Sequence, residues 1–537
     1  MQIAIILIVC MVLLALAYRY YSPGIFRKLG AEPDRPTPAH EMYDGVDYCP
    51  AKAPVLFGHH FASIAGAAPI VGPIVAAVYG WVPVILWIVI GGIFMGAVHD
   101  MSALVASIHH RGRSIGELIA KHVGRLGSKL FLFFLWATLV LLIAVFLVVV
   151  SKTFTTVPSA ATASMLFIML AVLFGLAIYR LKLPLGWATL VGVAILAVCV
   201  TAGFFYPLSL GYDTWLIVLV AYIVVASVTP VWILLQPRDY LNSFLLYALL
   251  ICGVVGVFVA RPAIEYPAYI QWFDPKLGAL FPILFVTVAC GAISGFHSVV
   301  ASGTTAKQLD REAHARPIGY GAMLVESLLA IIALVVVIKL SKADYASEIA
   351  NEGPVALFSR GIGSLIEPFG INKAHGTNFA ALAVSAFVLT TLDTATRLCR
   401  FAFQEFFAPR EGTKPNLLNR NRFIGTLVTV AAAAALAFSG QWKLIWPIFG
   451  AANQLLAALA LLAVSIWLKH AGRRNGFLRI PMWVMFVITL SALGVILHKN
   501  LVQANYALAA IAAALLVLAI TLVIESIRAL KRPPINT

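Results

Sequence analysis

Apolar runs long enough to cross the roughly 30 Å of a bilayer's hydrocarbon core recur about fifteen times along this chain. Nothing else constrains the fold as much, because backbone N–H and C=O groups in hydrocarbon must be satisfied within the segment, which makes each run a helix. The runs are 2–20, 55–79, 82–109, 128–151, 163–181, 186–206, 215–236, 242–261, 280–303, 320–340, 378–403, 423–439, 442–467, 481–499 and 504–530. With 61% hydrophobic and only 11% charged residues over 537 positions, a single soluble domain is excluded. The fold class read from the sequence is an all-α polytopic membrane protein. A polar loop at 341–377 separates two runs, and its middle, 354–369, is expected to form a short interfacial helix on the outside.

The formal net charge of +16 would suggest nucleic acid in a soluble protein. Here the basic residues sit in alternate loops. If 21–54 is cytoplasmic, so are 109–128, 180–185, 237–241, 304–319, 404–422, 468–480 and the C-terminus, and that side collects roughly 29 of the 38 basic residues. The expected topology is N-terminus out and C-terminus in, with Arg420, Arg422, Arg473 and Arg474 facing anionic headgroups, and with no role for nucleic acid. Cys10, Cys49, Cys199, Cys252, Cys290 and Cys399 are scattered without a CxxC pair and read as small hydrophobes, with no disulfide, metal or cofactor function. Residues 2–20 lack a positive n-region and a cleavage site, so a retained membrane helix is expected in place of a signal peptide.

Several runs carry residues that hydrocarbon does not tolerate without a reason. Between Gly58 and Pro73 the second run holds His59, His60, Gly66, Pro69 and Gly72. Backbone that loses its helical bonds survives at membrane depth only beside protein or a watery cavity, and in secondary transporters that place is the substrate site. A second break is expected at Thr229-Pro230, before a Gln236-Pro237-Arg238-Asp239 corner in which Arg238 and Asp239 read as a cytoplasmic helix-end ion pair. A third small-residue stretch, from Cys290 to Thr305, carries His297. Ionisable groups inside spans cost roughly 2.5–3.5 kcal/mol each on insertion scales, so each marks a candidate site. They include Asp100 beside His99, Glu326, and Asp393 with Arg397, whose i,i+4 spacing allows them to pair with each other. His109 and His110 read as interfacial and without a role.

Taken together, the stretches Asp44-Gly45-Val46-Asp47-Tyr48, Gly58-His59-His60-Phe61, Ala65-Gly66-Ala67-Ala68-Pro69-Ile70-Val71-Gly72-Pro73, Ser294-Gly295-Phe296-His297-Ser298 and Asp393-Thr394-Ala395-Thr396-Arg397 resemble the carbon starvation protein A (CstA) family, over about 40–465. The resemblance implies a cytoplasmic (inner) membrane importer of small nutrients, peptides or pyruvate, driven by protons. It also implies the amino acid–polyamine–organocation superfamily and a LeuT-type core of two inverted five-helix repeats with extra helices. The corresponding division is 1–54, an N-terminal helix and loop; 55–206, the first repeat; 215–403, the second; and 423–537, accessory helices. The topology agrees, since 55–79 starts inside and 215–236 starts outside. Core helix eight is then 280–303, set against the broken first helix.

The expected substrate site lies between the two breaks, lined by Ser63, Ala65, Gly66, Ala67, Pro69, Ser227, Thr229, Trp232 and Gln236. His59, His60, His297, Asp100 and Asp393 are the proton-coupling candidates, because small environmental shifts carry histidine across physiological pH. Ser294, Ser298 and Ser302 are candidate ion ligands should sodium replace the proton. The partners expected are a small-molecule substrate, a coupling ion and membrane lipid. An intramembrane metal hydrolase is disfavoured, since no HExxH occurs and His59-His60 are adjacent where two ligands on one face need i,i+4 spacing. A passive channel is the remaining rival, and the chain is not read as an enzyme.

Overall fold

A computed structural model describes residues 2–45, 47–409, 416–440 and 442–531. Val46 of the motif at 44–48, and 410–415 of the loop expected inside, lie outside the described residues. The chain is a helical bundle in the order α1 (Gln2–Leu29), α2 (Ala53–Ile64), α3 (Ala68–Tyr79), α4 (Trp81–His109), α5 (Leu126–Thr156), α6 (Pro158–Tyr179), α7 (Leu185–Phe205). It continues with α8 (Tyr212–Val228), α9 (Leu235–Ala260), α10 (Leu280–Thr287), α11 (Ala289–Ala292), α12 (Gly295–Gly303) and α13 (Glu312–Ile338). The last six are α14 (Pro354–Ile366), α15 (Lys373–Phe406), α16 (Arg422–Phe438), α17 (Ile445–His470), α18 (Gly476–Val502) and α19 (Tyr506–Glu525). Among the described residues, 11 helices are long and apolar enough to cross a membrane, or up to 12 with α2 and α3 taken as one bent span. The protein is thus an all-α, multi-pass membrane protein, with fewer full-length spans than the fifteen runs suggest. Helices α8 and α16 are shorter, and the run 280–303 is divided into α10, α11 and α12.

Burial sorts the helices into a centre and a rim. The apolar windows of α15 and α17 are 94% buried, whereas those of α1 and α7 are 28% buried. The central pair holds Thr390, Thr391, Asp393, Arg397, Asn453 and Gln454, all buried. The rim presents Leu173, Trp187, Leu190 and Phe205 outward, as a lipid-facing surface should. A cleft of about 420 Å³ between α6 and α7, lined by residues such as Leu170, Phe174 and Trp187, belongs to that apolar rim and contains none of the buried ionisable groups.

The first break forms where expected. Helix α2 stops at Ile64, α3 starts at Ala68, and the axis bends 42° between them. Pro69 falls in the first turn of α3, where its missing N–H has no helical partner to lose. Glycine makes the next crossing possible: a Cβ on Gly72 would stand 2.6 Å from the carbonyl oxygen of Thr287, so α3 can pass α10 only without a side chain there. The third stretch is broken by extended backbone at Ile293 and Ser294. Asn453 of α17 holds that break by accepting from Phe296 N–H at 2.8 Å and donating to Ser294 Oγ at 3.0 Å.

The second break is different from the expectation. Helix α8 ends at Val228 and the turn 229–234 leads directly into α9, so it is a corner between two helices, not an interruption within one. Pro237 sits in the first turn of α9, a position proline tolerates, and Arg238 and Asp239 follow it in the opening turns of that helix, where they form the expected ion pair at 3.1 Å but are buried. The loop expected at 341–377 does contain the helix α14, which packs onto the bundle through Leu357, Phe358, Ile362 and Leu365 and keeps Arg360 partly exposed.

Segments that the charge bias assigns to one side meet at one end of the bundle. Arg35 lies 2.9 Å from His109 Nε2, His109 lies 2.6 Å from Glu312, and Ala51 bridges to Leu309. His109, read as interfacial, is thus engaged in an ion-pair cluster at that end. At the other end Tyr345 OH donates to the Ile74 carbonyl at 2.8 Å, and the Glu265 and Tyr266 N–H groups bond the Ile338 carbonyl at 3.0 Å.

Candidate functional site

Two buried polar clusters lie against the end of α2, one beside each of its adjacent histidines. Successive helical residues point about 100° apart, so His59 and His60 face different neighbours. His59 Nδ1 is 2.7 Å from Asp239 Oδ2 on α9. His60 Nδ1 is 2.8 Å from Thr305 Oγ1 and lies close enough to His297 for charge on one to oppose charge on the other.

The first cluster is built on Arg238. Its Nη2 donates to Asp239 at 3.1 Å, and its Nη1 donates to Asp393 on α15 and, at 2.5 Å, to Tyr222 on α8. Tyr222 OH in turn donates to Asp393 Oδ2 at 2.5 Å. Ser63 joins this cluster to the first break: its hydroxyl is 3.4 Å from Asp239 and 3.2 Å from Thr394, and its carbonyl accepts from Thr391 at 3.0 Å. Helix α15 also crosses the break itself, since a Cβ on Gly66 would meet Thr391 Oγ1 at 2.9 Å.

The second cluster has no arginine or lysine. His297 on α12 lies between two carboxyl groups: its Nδ1 is hydrogen-bonded to Asp100 Oδ2 at 2.9 Å, and its Nε2 stands 3.2 Å from Glu326 Oε2 without a hydrogen bond between them. His99 Nδ1 lies 2.7 Å from Asp100 Oδ1. All four residues are buried, and among the described residues the ionic partners of Asp100 and Glu326 are histidines alone. Burying two bare carboxylates in low dielectric is prohibitive without compensating charge, and no arginine or lysine supplies it here, so this cluster requires bound protons or another bound cation.

The structure therefore gathers His59, Ser63 and Asp393 in one cluster, Asp100 and His297 in another, and sets His60 between them. It does not draw in every candidate. Ser227 faces α16, 3.0 Å from Thr426 Oγ1, and Trp232 packs edge-on against Tyr179 with Arg180 over its ring. Gln236 accepts from Tyr179 OH at 2.6 Å and donates to Gln308. Thr229 turns its hydroxyl back onto the Val225 carbonyl. The corner at 229–234 is instead closed by Arg397, which donates to the carbonyls of Ala226 and Thr229 and pairs with Asp47 at 3.3 Å. Asp393 and Arg397 are consequently not partners of each other: each reaches a different helix. Ser294, Ser298 and Ser302 do not converge. Ser298 and Ser302 bond carbonyls of their own helix at 2.7 Å, and Ser294 is held by Asn453. Ala65, Gly66, Ala67 and Pro69 line the break as backbone.

Tyr222, Arg238, Asp239 and His99 were absent from the expected site. Tyr222 carries no sequence signal, being one aromatic in an apolar run. Arg238 and Asp239 had one: a proline directly before them, which marks a helix start as readily as a corner.

A family model described as carbon starvation protein CstA matches residues 2–351 and 346–492 of this chain. The peptide transporter CstA of Bacillus subtilis (strain 168) is 35% identical over 542 residues, covering 91% of this chain and 89% of that protein. The pyruvate/proton symporter BtsT of Escherichia coli (strain K12) is 32% identical over 542 residues, covering 84% and 75%. Among solved structures, that of the Eremococcus coleocola manganese transporter is similar at a TM-score of 0.47 and 11% identity, covering 91% of this chain and 99% of that one.

Proposed function

The chain belongs to the carbon starvation protein CstA family, and from that premise we propose that it is a secondary active transporter importing pyruvate or short peptides by proton symport. One observation carries the proton: His297 suspended between the buried carboxyls of Asp100 and Glu326, with no fixed cation to balance them. Such a chain of carboxyl, imidazole and carboxyl binds and releases protons, and its charge state is the variable that a proton gradient can move. His60 and His59, adjacent on α2, carry that influence toward Asp239 and Asp393, so His59, His60, His297, Asp100 and Asp393 form the coupling route.

Substrate is held beside the first break, by Ser63 and the backbone of Ala65, Gly66, Ala67 and Pro69. Ser227, Thr229, Trp232 and Gln236, expected at the corner, are engaged with other helices and lie outside this site. Bonding of the three serines within their own surroundings favours the proton over sodium.

The eleven long helices, the bent pair, the two shorter helices and the broken run 280–303 support fifteen crossings, an odd number that takes the termini to opposite faces. In the LeuT-type reading, 55–206 and 215–403 are inverted repeats, the first opening on the bent pair and the second on the short α8. Residues 1–54 and 423–537 are accessory. The chain sits in the cytoplasmic membrane, N-terminus out and C-terminus in.

Energetics separates the substrates. Pyruvate entering with one proton moves no net charge, whereas a zwitterionic dipeptide with one proton gains about 2.3 kcal/mol per 100 mV. The test is uptake of labelled pyruvate and labelled dialanine into sodium-free proteoliposomes with the pH gradient and the potential imposed separately. Accumulation of pyruvate driven by the pH gradient and indifferent to potential establishes monocarboxylate symport. Potential-driven dialanine uptake assigns peptides, and accumulation of neither rejects the reading.

A further inference from the structure

We propose that Arg238 is the receptor for the carboxylate of the transported molecule and that Asp393 is the group this carboxylate displaces, so that substrate and proton exchange on one guanidinium. The proposal rests on the symport reading above and adds the atoms at which coupling occurs.

The geometry is that of a shared, incompletely used cation. A guanidinium offers five N–H groups in a planar fork and binds a dedicated carboxylate through two parallel bonds. Arg238 instead gives one nitrogen to Asp239 and another to Asp393 and Tyr222. Its Nε is buried and has no hydrogen-bond partner among the described residues, although the side chain is only 2% exposed. Asp393 is complementary: Arg238 and Tyr222 both use Oδ2, and Oδ1 is buried without a partner. His59 Nε2, on the far side of Asp239, is likewise buried and unpartnered. Three polar atoms with unused capacity in one cluster mark a place where a ligand completes the bonding.

Charge decides what can enter. Two carboxylates on one guanidinium already carry one net negative charge with His59 neutral. A third carboxylate is excluded until a proton arrives. The groups that face Asp393 are Arg238 and Asp239 of α9, Tyr222 of α8 and, one turn along α15, Arg397, while His59 of α2 acts through Asp239. Of these, Asp393 is the acid whose open oxygen can take the proton while its other oxygen keeps the bond from Tyr222.

The step balances without any covalent change in the substrate. A proton from the outer side bonds to Asp393 Oδ1, and the ion pair between Arg238 and Asp393 breaks. The freed Nη1 then binds the substrate carboxylate. Cluster charge is the same before and after, one proton having entered with one carboxylate. On the inner side the carboxylate leaves, Asp393 gives up its proton and the original pair returns. The chemical class recognised is a small molecule with a free carboxylate, which pyruvate and the C-terminus of a peptide share. The position fits, because Ser63 ties the cluster to the backbone break 65–67.

The experiment is counterflow of whichever of labelled pyruvate or dialanine is taken up, in sodium-free proteoliposomes holding the full chain. In the natural protein the apparent affinity rises up to about tenfold for each unit fall in pH, the limit for one linked proton. In Asp393→Asn that pH dependence disappears. Arg238→Lys weakens binding at least about tenfold, because an ammonium cannot reproduce the fork. Independently of any variant, pyruvamide or dialanine amide competes at least about a hundredfold more weakly than the matching acid. An Asp393→Asn protein that keeps the full pH dependence overturns the proposal while leaving proton symport intact, and equal competition by amide and acid overturns it in the natural protein. A natural protein whose uptake ignores the pH gradient rejects the symport reading itself.

Discussion

The two buried clusters beside His59 and His60 contain the same number of carboxyl groups and are neutralised by different means. Asp239 and Asp393 share a guanidinium that cannot leave, whereas Asp100 and Glu326 share an imidazole and depend on protons that can. A membrane-embedded carboxylate balanced by a fixed cation gives up its charge only when another carboxylate claims that cation. One balanced only by protons is a titrating element, and its occupancy follows the gradient. The difference teaches that the number of buried charges matters less than which of the compensating charges can move.

The comparison breaks most directly at Arg238. Removing a fixed cation strands two carboxylates, so Arg238→Gln is expected to cost about 3–5 kcal/mol, read as a large drop in the thermal midpoint of the detergent-solubilised protein. Adding Asp393→Asn to that variant should recover a substantial part of the loss, a coupling that independent sites would not show. Glu326→Gln should behave in the opposite way: stability changes by less than about 1 kcal/mol, because an amide resembles the protonated acid, while the initial rate of pH-driven uptake falls at least about a hundredfold. If Glu326→Gln is as destabilising as Arg238→Gln, the two clusters do not differ as described.

Smaller effects sharpen the boundary of the site. Asp47→Asn removes one charge-assisted bond from Arg397 but leaves its bonds to the carbonyls at the corner, so about 1.5 kcal/mol is expected, seen as a modest shift in the same midpoint. Glu117→Gln removes an exposed i,i+4 pair with Arg113 and should cost no more than about 0.5 kcal/mol, with uptake unchanged. A large effect there would mean that surface charge, and not the buried clusters, sets behaviour.

Much of this architecture was legible in the chain because the bilayer makes hydrophobic length and interrupted helices loud signals. The first break, the buried histidines and the helical class follow from them directly. The pairings did not, for a physical reason: His59 and Asp239 are 180 positions apart, and Arg238 and Asp393 are 155 apart. Local rules then filled the gap with nearby partners. The i,i+4 rule joined Asp393 to Arg397, although both lie on a central helix whose successive turns face different neighbours. The Gln236-Pro237-Arg238-Asp239 stretch looked like a corner because proline ends helices, yet it also begins them, and here the corner falls at 229–234. Trp232 looked like a site aromatic and is a rim contact with Tyr179 and Arg180. Glu326 was visible as a misplaced acid, but its role appeared only when His297 was seen to touch it and Asp100 at once.

The most direct test of the central claim, that the cluster lacking a fixed cation is where protons load, is pH-driven accumulation of labelled pyruvate or dialanine in sodium-free proteoliposomes, compared between the natural protein and Glu326→Gln, with unfolding midpoints measured on the same preparations. The account predicts accumulation by the natural protein, none by a variant of nearly unchanged midpoint. Equal accumulation by both would contradict it.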